Sequence, residues 1–129
     1  VLFVEDDEMM RASSTSVLES AGFKVVQAAD GSQALAALAG EPPDLLVLDL
    51  VLPDMDGWEI LRRVRGAEEI PRFPVLVITG LEGASAEEAL RLGADEFLAK
   101  PVSPRVFVDT VLRLLSQPAV GRRVKATEE

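Results

Sequence analysis

Short, almost wholly apolar runs recur at Val1–Val4, Phe23–Ala28, Leu45–Leu48, Val75–Ile78 and Glu96–Ala99. The longer stretches between them space their apolar residues three and four apart, as one face of a helix does. In Glu8–Ala21 that face comprises Met10, Ser14, Val17, Leu18 and Ala21. In Ser32–Ala39 it is Ala34, Leu35 and Leu38, and in Trp58–Arg65 it is Ile60, Leu61 and Val64. Ser85-Ala86-Glu87-Glu88 has the form of a capping box and starts a fourth helix. Ser103 as N-cap, with Pro104 in the first turn, starts a fifth whose inner face is Val108, Val111, Leu112 and Leu115. Five strand–helix units in alternation predict an α/β fold, an open doubly wound (βα)₅ sandwich. The third and fourth strands are apolar at nearly every position, as parallel strands covered by helices on both faces should be. The periodicity stops after Ser116, so 1–116 reads as the domain and 117–129 as a C-terminal tail or linker, with Arg122, Arg123 and Lys125 solvated.

Composition narrows the chemistry. At 129 residues and 48% apolar content, the chain has the length of one domain and enough apolar material for its core. It contains neither Cys nor His. That excludes disulfides, thiolate nucleophiles, imidazole metal ligands and a Ser-His-Asp relay, leaving carboxylates, Lys, Ser/Thr and the backbone. A formal charge of −9 opposes direct binding to DNA or RNA. No apolar run approaches the roughly 20 residues of a membrane helix. The opening Val-Leu-Phe-Val lacks the charged start of a signal peptide, so a cytoplasmic location and a start inside a longer protein are expected.

In an open α/β sheet, ligands gather beyond the carboxyl ends of the strands. Here the first strand runs into Glu5-Asp6-Asp7, the third into Asp49, the fourth into Thr79-Gly80 and the fifth into Lys100-Pro101. Two carboxylates about 4 Å apart repel by roughly 4 kcal/mol at an effective dielectric of about 20. A cluster of Glu5, Asp6 and Asp49 is therefore expected to need a cation, and one lysine does not neutralise three carboxylates. Mg²⁺, with Mn²⁺ as an alternative, suits such hard oxygen ligands. A metal beside Lys100 and Thr79 invites a phosphoryl group. Lys100 would offset its charge, Thr79 would donate a hydrogen bond, and Gly80 would leave room for it. With no Cys, His or activated Ser, the nucleophile would be a carboxylate.

The segments Val1-Leu-Phe-Val-Glu-Asp-Asp7, Asp44-Leu-Leu-Val-Leu-Asp-Leu-Val-Leu-Pro-Asp-Met-Asp-Gly57, Pro74-Val-Leu-Val-Ile-Thr-Gly80 and Gly93-Ala-Asp-Glu-Phe-Leu-Ala-Lys-Pro101 resemble the receiver domain of response regulators. With the Ala29-Asp30-Gly31 turn, the resemblance covers residues 1 to about 116. It implies a flavodoxin-like sheet of order 2-1-3-4-5 and two-component signalling, with Asp49 as phosphoacceptor. Glu5 and Asp6 would be the acidic pair; Asp6 and Asp49 would ligate Mg²⁺ directly, and the backbone carbonyl of Val51 would add a ligand. Lys100 would contact the phosphoryl group, and its bond to Pro101 would be cis. Thr79 and Phe97 would form a switch pair acting on helix four, strand five and helix five. The donor would be a sensor histidine kinase or a histidine phosphotransfer protein. The output would pass to a downstream protein or to a missing output domain, with homodimerisation on phosphorylation. Such a chain catalyses only its own phosphorylation and dephosphorylation.

Four positions qualify the match. Glu5 stands where many members have Asp, and Phe97 where Tyr is more familiar. Val51 and Leu81, each two residues past a key side chain, are apolar and cannot orient an attacking water, so slow loss of the phosphoryl group is expected. Two rival functions compete. Asp54-Met-Asp-Gly57 is similar to the start of a haloacid-dehalogenase-type phosphatase, although Pro53 and Trp58 break that pattern. A receiver-fold interaction module working without phosphorylation is the other. Trp58 is expected to pack at the start of the third helix, and Met9 and Met10 to pack or lie near the site. Asp54, Asp56 and Gly57 are expected to form a turn with Asp56 as N-cap.

Overall fold

Strand and helix alternate throughout residues 1–67 and 72–116, the part of the chain described by a computed structural model. The elements are β1 (Leu2–Val4), α1 (Glu8–Ser20), β2 (Val26–Ala28), α2 (Gly31–Ala39), β3 (Leu46–Leu48), α3 (Gly57–Gly66), β4 (Val75–Thr79), α4 (Ala86–Arg91), β5 (Glu96–Ala99) and α5 (Pro104–Ser116). All neighbouring strands pair in parallel, in the order β2-β1-β3-β4-β5. The tail expected at 117–129 lies outside the described residues.

Alternation along each strand divides the core into two layers. Leu2, Val4, Leu46, Leu48, Val75 and Val77 face Ala34 and Leu38 of α2, and Ile60, Leu61 and Val64 of α3. Phe3, Val47, Leu76 and Ile78 face Leu18 of α1, and Phe107, Val111 and Leu114 of α5. Burying each such side chain contributes about 1.5–3 kcal/mol, so both faces of the sheet need their helices. Every helix starts on a side chain that takes an orphan amide: Asp7 from Met10, Asp30 from Gln33, Asp56 from Trp58, Ser85 from Glu88 and Ser103 from Val106. The Glu88 carboxylate of the expected capping box pairs with Arg91.

The structure corrects three local readings. The second strand is Val26–Ala28, not Phe23–Ala28, because only those three residues pair with β1; Phe23 and Val25 pack against the α1/α5 layer. The inner face of α5 is Phe107, Thr110, Val111 and Leu114, whereas Leu112 is 49% exposed. The large Phe107 ring sets that rotation by docking beside Phe3, with ring centroids 6.0 Å apart. On α1 the buried residues are Thr15 and Leu18, while Met10 and Ala21 are exposed.

The strand order reverses between β1 and β3, and the crevice at such a reversal opens beyond their carboxyl ends. Glu5 follows β1 there, and Asp49 follows β3. Among the described residues no helix is long and apolar enough to cross a membrane.

Candidate metal and phosphoacceptor site

The strand ladders run one step past the strands and so hold the acidic residues rigidly. The Glu5 amide donates to Ala28 O at 3.0 Å, and the Asp49 amide to Val4 O at 3.1 Å. Both side chains are buried, as is Thr79, while Asp6 is exposed. Ligand oxygens of Glu5, Asp6 and Asp49 all lie within 4.8 Å of one another. The ladder also carries Lys100 to this place: its amide donates to Thr79 O at 2.9 Å, and the Lys100–Pro101 bond is cis.

Lys100 Nζ donates to Glu5 Oε1 at 2.6 Å and to Asp49 Oδ2 at 2.7 Å. Sequence reasoning reserved the neutralising role for a metal, on the ground that one lysine is too little for three carboxylates. Lys100 pairs with the two buried carboxylates, Glu5 and Asp49, and leaves Asp6 exposed beside them. Below this bridge lies a cavity of about 40 Å³, lined by Phe3, Met10, Ser14, Ile78, Val102 and Phe107 together with the three charged groups. Burial against this wall pushes the Glu5 carboxyl above its ordinary range, partly offset by its bonds to Lys100 and the Asp7 amide. Burial acts on Lys100 in the opposite sense, but its bonds to Asp49 and Glu5 outweigh it and the ammonium is held above its ordinary value.

The donor set fits Mg²⁺. The ion needs oxygens about 2.1 Å from its centre, hence about 3–4 Å from each other, and three carboxylates already converge to nearly that spacing. Val51 stands next to this set: its amide donates to Asp49 Oδ1 at 3.1 Å, and its side chain is 47% exposed. Leu81 is 39% exposed, and its amide donates to Thr79 Oγ1 at 3.1 Å. A Cβ at Gly80 would lie 3.7 Å from Lys100 Cβ, so the missing side chain is on the lysine side and leaves that approach open. Phe97 pairs in register with Val77, two residues before Thr79, and packs partly buried on the α2/α3 layer.

Two features of the loop after Asp49 were not read from the sequence. Asp54 accepts from the amides of Gly31 and Ser32 at 2.8 and 2.9 Å and from Ser32 Oγ at 2.9 Å, docking the loop on the start of α2. No local signal links residues 23 apart. A Cβ on Gly57 would come within 2.5 Å of Leu50 Cα and 2.9 Å of Asp49 O, so this glycine lets α3 begin directly against the Asp49 backbone. That close approach is the legible reason for a Gly after Asp56. Both carboxylates of Asp54-Met-Asp-Gly57 are thus taken by helix starts outside the acidic cluster, which removes the basis of the phosphatase reading. Trp58 is partly buried on the core, as expected, and Met9 is a surface residue.

Residues 1–112 match the family described as the response regulator receiver domain. This chain belongs to that family. The transcriptional regulatory protein GltR of Pseudomonas aeruginosa is 36% identical over 120 residues, which are 89% of this chain and 48% of GltR. The alkaline phosphatase synthesis transcriptional regulatory protein PhoP of Bacillus subtilis is 39% identical over 110 residues, 81% of this chain and 43% of PhoP. The receiver domain therefore spans less than half the length of these curated relatives. Among solved structures, the BeF₃-activated N-terminal receiver domain of Klebsiella pneumoniae RstA superposes with a TM-score of 0.81 at 30% identity, over 90% of this chain and 97% of that one.

Proposed function

We propose that Asp49 of this receiver domain is the phosphoacceptor, taking a phosphoryl group from the phosphohistidine of a sensor histidine kinase or a histidine phosphotransfer protein. The observation that carries the reading is the buried Asp49 carboxylate at the strand-order reversal, held by Lys100 and the Val51 amide and flanked by Glu5 and Asp6. A carboxylate oxygen of Asp49 bonds to phosphorus as the bond to the histidine nitrogen breaks, giving an aspartyl phosphate. Lys100, already on Asp49, compensates the charge gathering on the phosphoryl oxygens. The Thr79 hydroxyl accepts from the Leu81 amide and keeps its proton free to donate to one of them. Glu5, Asp6, Asp49 and the Val51 carbonyl would hold Mg²⁺ or Mn²⁺. When bound, such an ion supplies charge neutralisation of the transferring group.

The modified Asp49 draws Thr79 toward it, and Phe97, on the same sheet face, follows. The consequence is a shift between inactive and active arrangements of α4, β5 and α5. That surface is read by a downstream protein or an attached output domain, with homodimerisation as one route. The domain catalyses only its own modification, and residues 1–116 form it, with 117–129 as a tail or linker.

Incubation with acetyl phosphate and Mg²⁺, followed by intact mass, tests this: wild type gains one phosphoryl group and Asp49→Ala gains none. Equal adducts in both overturn the assignment. A receiver-fold module that works without phosphorylation would also ignore beryllofluoride, whereas the proposed switch binds it in a Mg²⁺-dependent way.

A further inference from the structure

The loop that carries the acidic pair, Glu5–Asp7, is short, and its two carboxylates are held very differently. Glu5 is pinned on every side. Its amide is in the ladder, Oε1 is on Lys100, and Oε2 accepts from the Asp7 amide at 3.1 Å. Asp6 is exposed and lies beyond the ladder. What holds the main chain here is Arg11. Its Nη1 donates to Glu5 O at 2.8 Å and stands 3.5 Å from Asp6 O. Arg11 sits in the first turn of α1, where side chains lean back toward the helix N-terminus, and its own amide donates to Asp7 O at 2.8 Å. One guanidinium nitrogen thus closes the loop from the helix side onto two successive carbonyls.

We infer that Arg11 is a positioning residue for the metal site: it fixes the Glu5–Asp6 peptide so that the Asp6 carboxylate faces Glu5 and Asp49. This rests on the reading of those three carboxylates as metal ligands. Arg11 touches none of the carboxylate oxygens, so its effect passes through the backbone. The sign of that effect separates positioning from simple electrostatics. Removing a cation near a divalent site should tighten metal binding by Coulomb's law, whereas loss of positioning should weaken it. Lysine keeps the charge and loses the fork geometry of the guanidinium.

Mg²⁺ titration by calorimetry, with Mn²⁺ binding followed by electron paramagnetic resonance, would be run on wild type, Arg11→Lys, Asp6→Asn and the double variant, each also melted without metal. Arg11→Lys is expected to bind about tenfold more weakly than wild type. In the Asp6→Asn background the same substitution should change affinity little, because the ligand that Arg11 orients is already lost. Wild-type affinity in Arg11→Lys, or an equal loss in both backgrounds, overturns the role of Arg11, even where the metal-free melting temperature falls. Arg11→Gln adds the electrostatic control; tighter binding in it also overturns the inference. Absence of metal binding by wild type overturns the underlying metal reading as well.

Discussion

Lys100 Nζ meets Asp49 Oδ2 at 2.7 Å across 51 residues of sequence, and the same ammonium holds Glu5 Oε1 at 2.6 Å. One cation therefore occupies the charge position that a divalent ion would share. Lys100 is thus the counter-charge that both buried carboxylates share.

Replacing Lys100 by Met leaves two buried carboxylates without a counter-charge. The metal-free domain should lose about 3 kcal/mol, since breaking a buried pair strands the remaining charge. Urea unfolding measures this. Saturating Mg²⁺ should recover much of the loss, because an ion that binds only the folded state stabilises by mass action. A variant that stays equally destabilised with and without Mg²⁺ would speak against a shared position.

Metal-free stability should depend on pH through Glu5. Burial raises its carboxyl above the ordinary value of 4.5, and the Asp49 charge adds to that against the bonds from Lys100 and Asp7. A group that holds its proton more tightly folded than unfolded favours the fold while protonated. Its contribution is therefore complete below about 4.5 and is lost as pH rises through the raised folded value. Lys100, held above 10.5, keeps its contribution through neutral pH and loses it only above that value. Melting curves from pH 4 upward should show the Glu5 decline in wild type and a flatter limb in Glu5→Gln; parallel limbs would contradict it.

Val51 and Leu81 are exposed and apolar, so neither side chain could orient a water toward an aspartyl phosphate at Asp49. Val51→Asn and Leu81→Glu should each speed its hydrolysis, by about tenfold or more for a group that acts as base or water anchor. Decay of phosphorylated protein, followed by intact mass, measures the rate. Unchanged decay in both variants would place the protection elsewhere.

Chain order, the carboxyl ends of the strands and the caps at Asp56, Ser85 and Ser103 were readable directly, because each is a local property. Asp56 before Gly57 and Ser103 before Pro104 satisfy helix amides two or three residues away, and no distant partner can change that. The acidic cluster was readable for a related reason: in a parallel sheet the residues just past neighbouring strands lie side by side, so Glu5 after β1 and Asp49 after β3 meet by topology, with Thr79 at the end of β4 next in line. The inner face of α5 was misplaced because its spacing admits two rotations, and the choice between them depends on Phe107 finding Phe3.

The alternation of apolar runs and helical spacing was enough to predict the α/β fold, and residue order was enough to place Glu5, Asp6 and Asp49 at the strand ends where they cluster. These follow from residue type and order. How charge is shared among those carboxylates depended on three dimensions: Lys100 bridges Glu5 and Asp49, Asp54 docks on α2, and Arg11 closes the β1–α1 loop. Each of these contacts is set by where a long or charged side chain ends, and the energies that choose among its rotamers come from partners a linear string does not place beside it.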